Sequence, residues 1–100
     1  MIVLVATFKA KQGCELDLEN KLKTLIPQVQ KEEGTVVYTL HRGLEDPSRL
    51  LFYEVYRDRE AREFHRSQSY VKETLGSISE LVEEPPTINI YEEIASLSRP

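Results

Sequence analysis

One cysteine, Cys14, stands alone in 100 residues. No disulfide can form within the chain, and the expected compartment is a reducing one, the cytoplasm by default. Positive charge is not in excess either: 13 Lys and Arg stand against 17 Asp and Glu, a net charge of −4 at neutral pH. A general nucleic-acid binder presents a basic surface, so nucleic acid and other polyanions are not expected partners. No apolar run approaches the roughly 20 residues of a spanning helix. The N-terminus also lacks a charged segment leading into an apolar stretch and a cleavage site, so neither a membrane span nor a signal peptide is expected. Repeats and low-complexity segments are missing as well. A chain of this length builds one domain around a single core, and its high surface-to-volume ratio favours association.

What is present is a strand running straight into a helix. Leu50 to Tyr56 is aromatic and aliphatic over a span too short for an ordinary helix, and a charged cluster follows it. Asp58 can accept from the unpaired N–H groups of a first helical turn, and Glu60 puts negative charge at the positive end of that helix. Ala61, Phe64 and His65 stand three and four residues apart, so on a helix they share one face, expected to look inward. Glu54 lies inside the otherwise apolar strand, where an ionised group must be paired, hydrogen-bonded or solvated. Glu54 and His65 are therefore candidates to face a common space.

The rest of the chain falls into elements around this one. Ile2 to Ala10 is apolar at odd and even positions alike, as for a strand buried on both sides. A polar turn with Gly13 leads to a helix over Glu15 to Glu33, whose stripe is Leu18, Leu22, Leu25, Ile26 and Val29. Pro27 predicts a kink or restart there, and Gly34 closes the element. Thr35 to Arg42 reads as a second strand, joined by a Gly, Asp and Pro turn to Leu50–Tyr56, its antiparallel neighbour. The second helix starts at Asp58, is interrupted near Ser67-Gln68-Ser69, and continues the stripe Val71, Leu75, Ile78, Leu81 and Val82 to Pro85-Pro86. Thr87 to Ile94 is the last strand. One domain is expected over residues 1–95, with a short tail at 96–100.

The order β-α-β-β-α-β is that of an α+β, ferredoxin-like domain in which both helices cover one face of a four-stranded antiparallel sheet. The first and third strands are apolar on both parities, so the other face needs a cover. The expectation is a homodimer formed through the sheet face.

Gln30-Lys31-Glu32-Glu33-Gly34, Tyr38, Phe52-Tyr53-Glu54-Val55-Tyr56, Asp58, Ala61 and His65 together carry a resemblance to the antibiotic biosynthesis monooxygenase domain family. It spans residues 1 to 94, and its most specific part is the Glu54 to His65 interval. In the family a second histidine, an aromatic and a lysine usually follow; here the stretch is Ser67-Gln68-Ser69-Tyr70-Val71-Lys72, with Tyr70 in place of that histidine. The resemblance implies a dimeric α+β barrel with a small cavity between the sheet and the second helix, served by no metal, flavin or haem. Some members oxygenate phenolic or quinol compounds, and others isomerise a phosphorylated sugar-like signal. A haem-degrading branch depends on a tryptophan, of which this chain has none.

The expected activity is a cofactor-independent monooxygenase acting on a small phenolic or quinol-type molecule. His65 is the candidate base, because its pKa lies near neutrality. Glu54 is its candidate orienting partner, and Tyr70, Tyr53, Tyr56, Phe52 and Tyr38 are candidate pocket walls. Bland readings stand beside these: His65 as a helix-face histidine bonded to Glu54 or a carbonyl, Glu54 as a partner of tyrosine and backbone groups, and the tyrosines as packing. Other functional readings are a non-catalytic ligand-binding or assembly dimer and a proton-transfer isomerase. His41 is expected to be exposed and on a different element from His65, with no ligand motif between them, which argues against a metal site.

Overall fold

A computed structural model describes residues 1–99; Pro100, the end of the expected tail, lies outside the described residues. In chain order the elements are β1 (Ile2–Lys9), α1 (Glu15–Lys23), α2 (Leu25–Val29), β2 (Thr35–Arg42), β3 (Arg49–Tyr56), α3 (Arg59–Ser67), α4 (Ser69–Ser77) and β4 (Thr87–Glu92). The four strands form one antiparallel sheet in the order β2-β3-β1-β4. This is the α+β, ferredoxin-like arrangement. The last strand stops two residues short of Ile94.

Pro27 acts at a distance. Its ring crowds the carbonyl four residues earlier, that of Lys23, and its missing N–H is harmless only in a first turn. The helix accordingly breaks at Thr24, whose hydroxyl donates to the Lys21 carbonyl at 2.6 Å, and restarts at Leu25 with Pro27 in the new first turn. The second helix breaks at Gln68, which is extended between α3 and α4.

Strand parity sorts the two faces. Leu4, Ala6 and Phe8 of β1 and Leu50, Phe52, Glu54 and Tyr56 of β3 point under the helices and are buried. Leu18, Leu22, Leu25 and Val29 meet them from α1 and α2, and Val71 and Ile78 from the second helical layer. Gly34 lies so close to Ala61 that any Cβ on it would collide with the Ala61 Cβ. That contact seats the start of α3 against the turn preceding β2. The opposite parity carries Val3, Val5 and Leu51, which are half-buried, Tyr53, which is exposed, and Val55, which is buried.

Candidate active site

Asp58 is the cap the sequence suggests: its Oδ1 accepts from the Ala61 N–H at 2.8 Å. The cap fixes where α3 begins and hence which residues it turns inward. Ala61 and His65, four apart, are buried at 8% and 6% exposure, whereas Phe64 is 56% exposed. The inward placement expected for Phe64 is thus corrected. Each residue turns the helix by about 100°, and α3 rests on the Ala61–His65 line, which leaves Phe64 outside it.

His65 Nδ1 lies 3.0 and 3.1 Å from the two carboxylate oxygens of Glu32. Glu32 is buried in the turn after α2, where it also accepts from the Thr35 hydroxyl at 2.8 Å and from the Tyr70 hydroxyl. Because two hydroxyls donate to it, the carboxylate is the acceptor throughout, and the proton it shares with the ring belongs to Nδ1. The other ring nitrogen, Nε2, keeps its lone pair. Nε2 makes no hydrogen bond among the described residues, and no fully enclosed side-chain nitrogen or oxygen there lacks a partner. It is therefore not fully enclosed.

A cavity of about 120 Å³ lies between the sheet and the second helical layer, lined in part by His65. Leu4, Ala6, Phe8 and Phe52 form its floor and Val71 and Leu75 its roof; Tyr38, Glu54 and His65 supply polar groups, and Arg62 and Arg66 border it. Burial lowers the pKa of His65 below its ordinary value, against the pull of the Glu32 charge and hydrogen bond, and the nearby Arg62 charge lowers it further. The net effect favours the neutral imidazole.

Glu54 lines the same cavity, but its partner is not His65. The Tyr56 hydroxyl, two residues along the same strand face, donates to Glu54 Oε1. The orienting carboxylate expected at Glu54 is instead Glu32, since the Nδ1 edge of the imidazole faces the α2–β2 turn. Burial pushes the Glu54 carboxyl up to about 7; the Tyr56 hydrogen bond and the Arg62 charge oppose this, and the charge of Glu32 adds to it.

The aromatic candidates divide. The Tyr38 ring packs 4.6 Å from Phe52 and 5.2 Å from the His65 ring, and Tyr38 and Phe52 both line the cavity. Tyr56 is wholly buried 5.4 Å from the imidazole, where it holds Glu54. Tyr70 reaches the site through Glu32, and burial followed by that hydrogen bond raises its pKa. Tyr53 points to the opposite face and is 38% exposed, because its parity on β3 differs from that of Phe52 and Glu54.

Thr35, Arg62 and Arg66 carry no signal of a site role in the sequence, and Glu32 enters there only as part of Gln30–Gly34, with no site role. The signal for Glu32 was available: it stands three residues after Val29, on the continuation of the buried stripe, where a charged residue is out of place. His41 is exposed and bonded to the Thr39 hydroxyl at 2.7 Å. Among the described residues, no group of three His, Cys, Asp or Glu side chains is placed to hold a metal ion.

Fold and site together define a small ferredoxin-like α+β protein in which a buried carboxylate positions an imidazole at the wall of a cavity. The chain belongs to the antibiotic biosynthesis monooxygenase family, whose model matches residues 1–76. It is 27% identical over 90 residues to the uncharacterized protein sll1783 of Synechocystis, covering 90% of this chain and 61% of that one. The chain thus spans about three-fifths of the length of this curated relative. Protein SO0527 of Shewanella oneidensis is 31% identical, with a TM-score of 0.86 and coverage of 90% of this chain and 87% of that one. A candidate antibiotic biosynthesis monooxygenase from Deinococcus radiodurans superposes with a TM-score of 0.90 over 99% of this chain and 98% of that one; at 20% identity, that likeness is one of fold.

Proposed function

We propose that this chain is a cofactor-independent monooxygenase acting on a small phenolic or quinol-type compound. The observation that carries the reading is the imidazole of His65, tied at Nδ1 to Glu32 and lining the cavity, with no hydrogen bond at Nε2 among the described residues. Nε2 takes the proton of the substrate hydroxyl, and Glu32 stabilises the imidazolium so formed. The resulting oxyanion, held in an apolar cavity, is the reductant for dioxygen. A ring-carbon hydroperoxide forms and loses water, so that hydroquinone plus dioxygen gives hydroxyquinone plus water. The chain's part is to supply base, orientation and a dry wall.

In this reading Tyr38 is the wall beside the base, and Phe52 packs against Tyr38. Tyr70, where the family has its second histidine, acts through Glu32. Glu54, which also lines the cavity and whose carboxyl is pushed up to about 7, serves as a second group to receive or return a proton. The chain works as a homodimer through the face bearing Val3, Val5, Leu51 and Tyr53, which would otherwise leave apolar surface in water.

Oxygen uptake over a panel of hydroquinones and naphthols, with labelled dioxygen, tests the reaction: one label atom in the product supports it. Substrate turnover with no oxygen consumed and solvent deuterium in the product would replace it with a proton-transfer isomerase. No turnover and no binding across the panel would favour a non-catalytic dimer.

A further inference from the structure

Three residues of α3 border the cavity, Arg62, His65 and Arg66, at spacings of three and four. Arg62 stands three residues before His65 and four before Arg66, so on the helix surface its Cβ lies about 5–6 Å from each of them, while Arg66 follows His65 directly. Arg62 is the informative member. Its side chain is only 20% exposed, and its one hydrogen bond is from Nη1 to Glu63 Oε1 at 3.2 Å. The other N–H groups of its planar fork have no partner among the described side chains. Glu63 is itself 60% exposed and also meets Arg66 at 3.5 Å, so its hold on either arginine is weak and exchangeable with water. A largely covered guanidinium with uncommitted donors beside an apolar space is complementary to a planar anion.

The cavity also sets a size. An apolar cavity of about 150 Å³ in another protein admits benzene, and this one measures about 120 Å³. Its covered part is of the size of one six-membered ring. Its border includes Leu75, Arg66 and Ile88, which are exposed, so substituents on the ring can reach outward past them.

We infer that the ligand of this cavity is a single-ring phenol carrying an ionised acid group, its hydroxyl at His65 and its carboxylate on Arg62 with Arg66 beside it. This rests on the cavity being the substrate site, as proposed above, but it concerns recognition alone. Separating hydroxyl from acid across one ring matches the short step between His65 and Arg62. Arg62 then acts as a specificity residue, selecting acidic phenols over neutral ones of the same shape.

Binding of three probes to the intact chain, followed by calorimetry and by chemical-shift titration, tests this: 4-hydroxybenzoate, 4-hydroxybenzamide and 6-hydroxy-2-naphthoate. The expected order is 4-hydroxybenzoate at least tenfold tighter than its amide, with the two-ring acid weaker than the one-ring acid. Arg62→Gln should bring the acid-to-amide ratio close to one, and shifts in wild type should cluster on α3 and the cavity floor. Equal binding of acid and amide, tighter binding of the naphthoate, or no binding of any probe would overturn the inference. The readout is independent of oxygen. Acid-selective binding without oxygen uptake would sink only the proposed reaction, whereas uptake with neutral quinols and no acid preference would sink only this inference.

Discussion

His65 and Glu32 meet across 33 residues of chain, with Nδ1 3.0 Å from one carboxylate oxygen and 3.1 Å from the other. One partner comes from a helix seated by the Asp58 cap and the Gly34–Ala61 contact, the other from the turn that ends the first helical layer. Their meeting gives the imidazole a fixed tautomer and leaves Nε2 without a hydrogen bond among the described residues.

Glu32→Gln keeps the size of the side chain but lets the amide donate as well as accept, which releases the Nδ1 proton from its fixed place. Turnover should fall by about 10²-fold or more, on the scale of losing a positioned base. Nitrogen chemical shifts of the His65 ring should change from one dominant tautomer to a mixture. Unchanged turnover and an unchanged tautomer would show that Glu32 merely fills space.

Tyr70→Phe removes one of the donors to Glu32 and leaves its ring. The cost to stability should be about 1 kcal/mol, measured by urea unfolding. Thr35 and His65 still hold the carboxylate, so turnover should drop by less than the Glu32→Gln variant. A loss equal to that of Glu32→Gln would mean that the tyrosine itself takes part in the chemistry.

Glu54 makes the fold sensitive to pH. Its carboxyl is raised from 4.5 to about 7, so folding favours the neutral form. Below pH 4.5 the group is protonated in both states and costs nothing; as pH rises toward 7 only the unfolded chain releases the proton, and stability falls. The total is on the order of 2–3 kcal/mol. In Glu54→Gln this decline should vanish from urea-unfolding curves taken from pH 4.5 to 7. The lowered pKa of His65 works the other way, its contribution being present above about 6.5 and lost as pH drops through the folded value. It should remain visible in the Gln variant.

Strand parity, caps and helical stripes carry most of the fold in plain view. The alternation Leu50, Phe52, Glu54, Tyr56 puts Glu54 beside Tyr56, and Asp58 starts α3. Pro27 announces a break, though its effect is felt at Thr24 because the clash is with the carbonyl four residues back. The site was less legible because it joins residues distant in sequence. Glu32 is reached only by extending the stripe of the first helix past its last turn, and nothing local tells which carboxylate, Glu32 or Glu54, faces Nδ1. Phe64 shows the limit of periodicity: two residues three and four from a buried alanine both fit an inward face, and the packing of α3 decides between them.

Gly34→Ala should destabilise the chain by about 1–3 kcal/mol, since the new methyl collides with Ala61 where α3 seats. Adding Ala61→Gly removes the collision and should recover part of the loss, apart from about 1 kcal/mol for glycine in a helix. Equal stability of the Gly34→Ala variant and wild type, by thermal unfolding, would show that the contact is slack.

Val5 lies at the middle of the sheet's open face, paired to Tyr53 on one side and Asn89 on the other. Val5→Glu places a charge in the proposed dimer interface and should give a monomer by light scattering. A wild-type chain that is itself monomeric at micromolar concentration would contradict the dimer directly.

Oxygen consumption by His65→Ala, with a quinol that the wild-type chain turns over, bears most directly on the imidazole as base. Uptake should fall by at least about 10²-fold while circular dichroism and the thermal midpoint show a folded chain. Full uptake by a folded His65→Ala protein would contradict the account and leave the carboxylate–imidazole pair as a structural element alone.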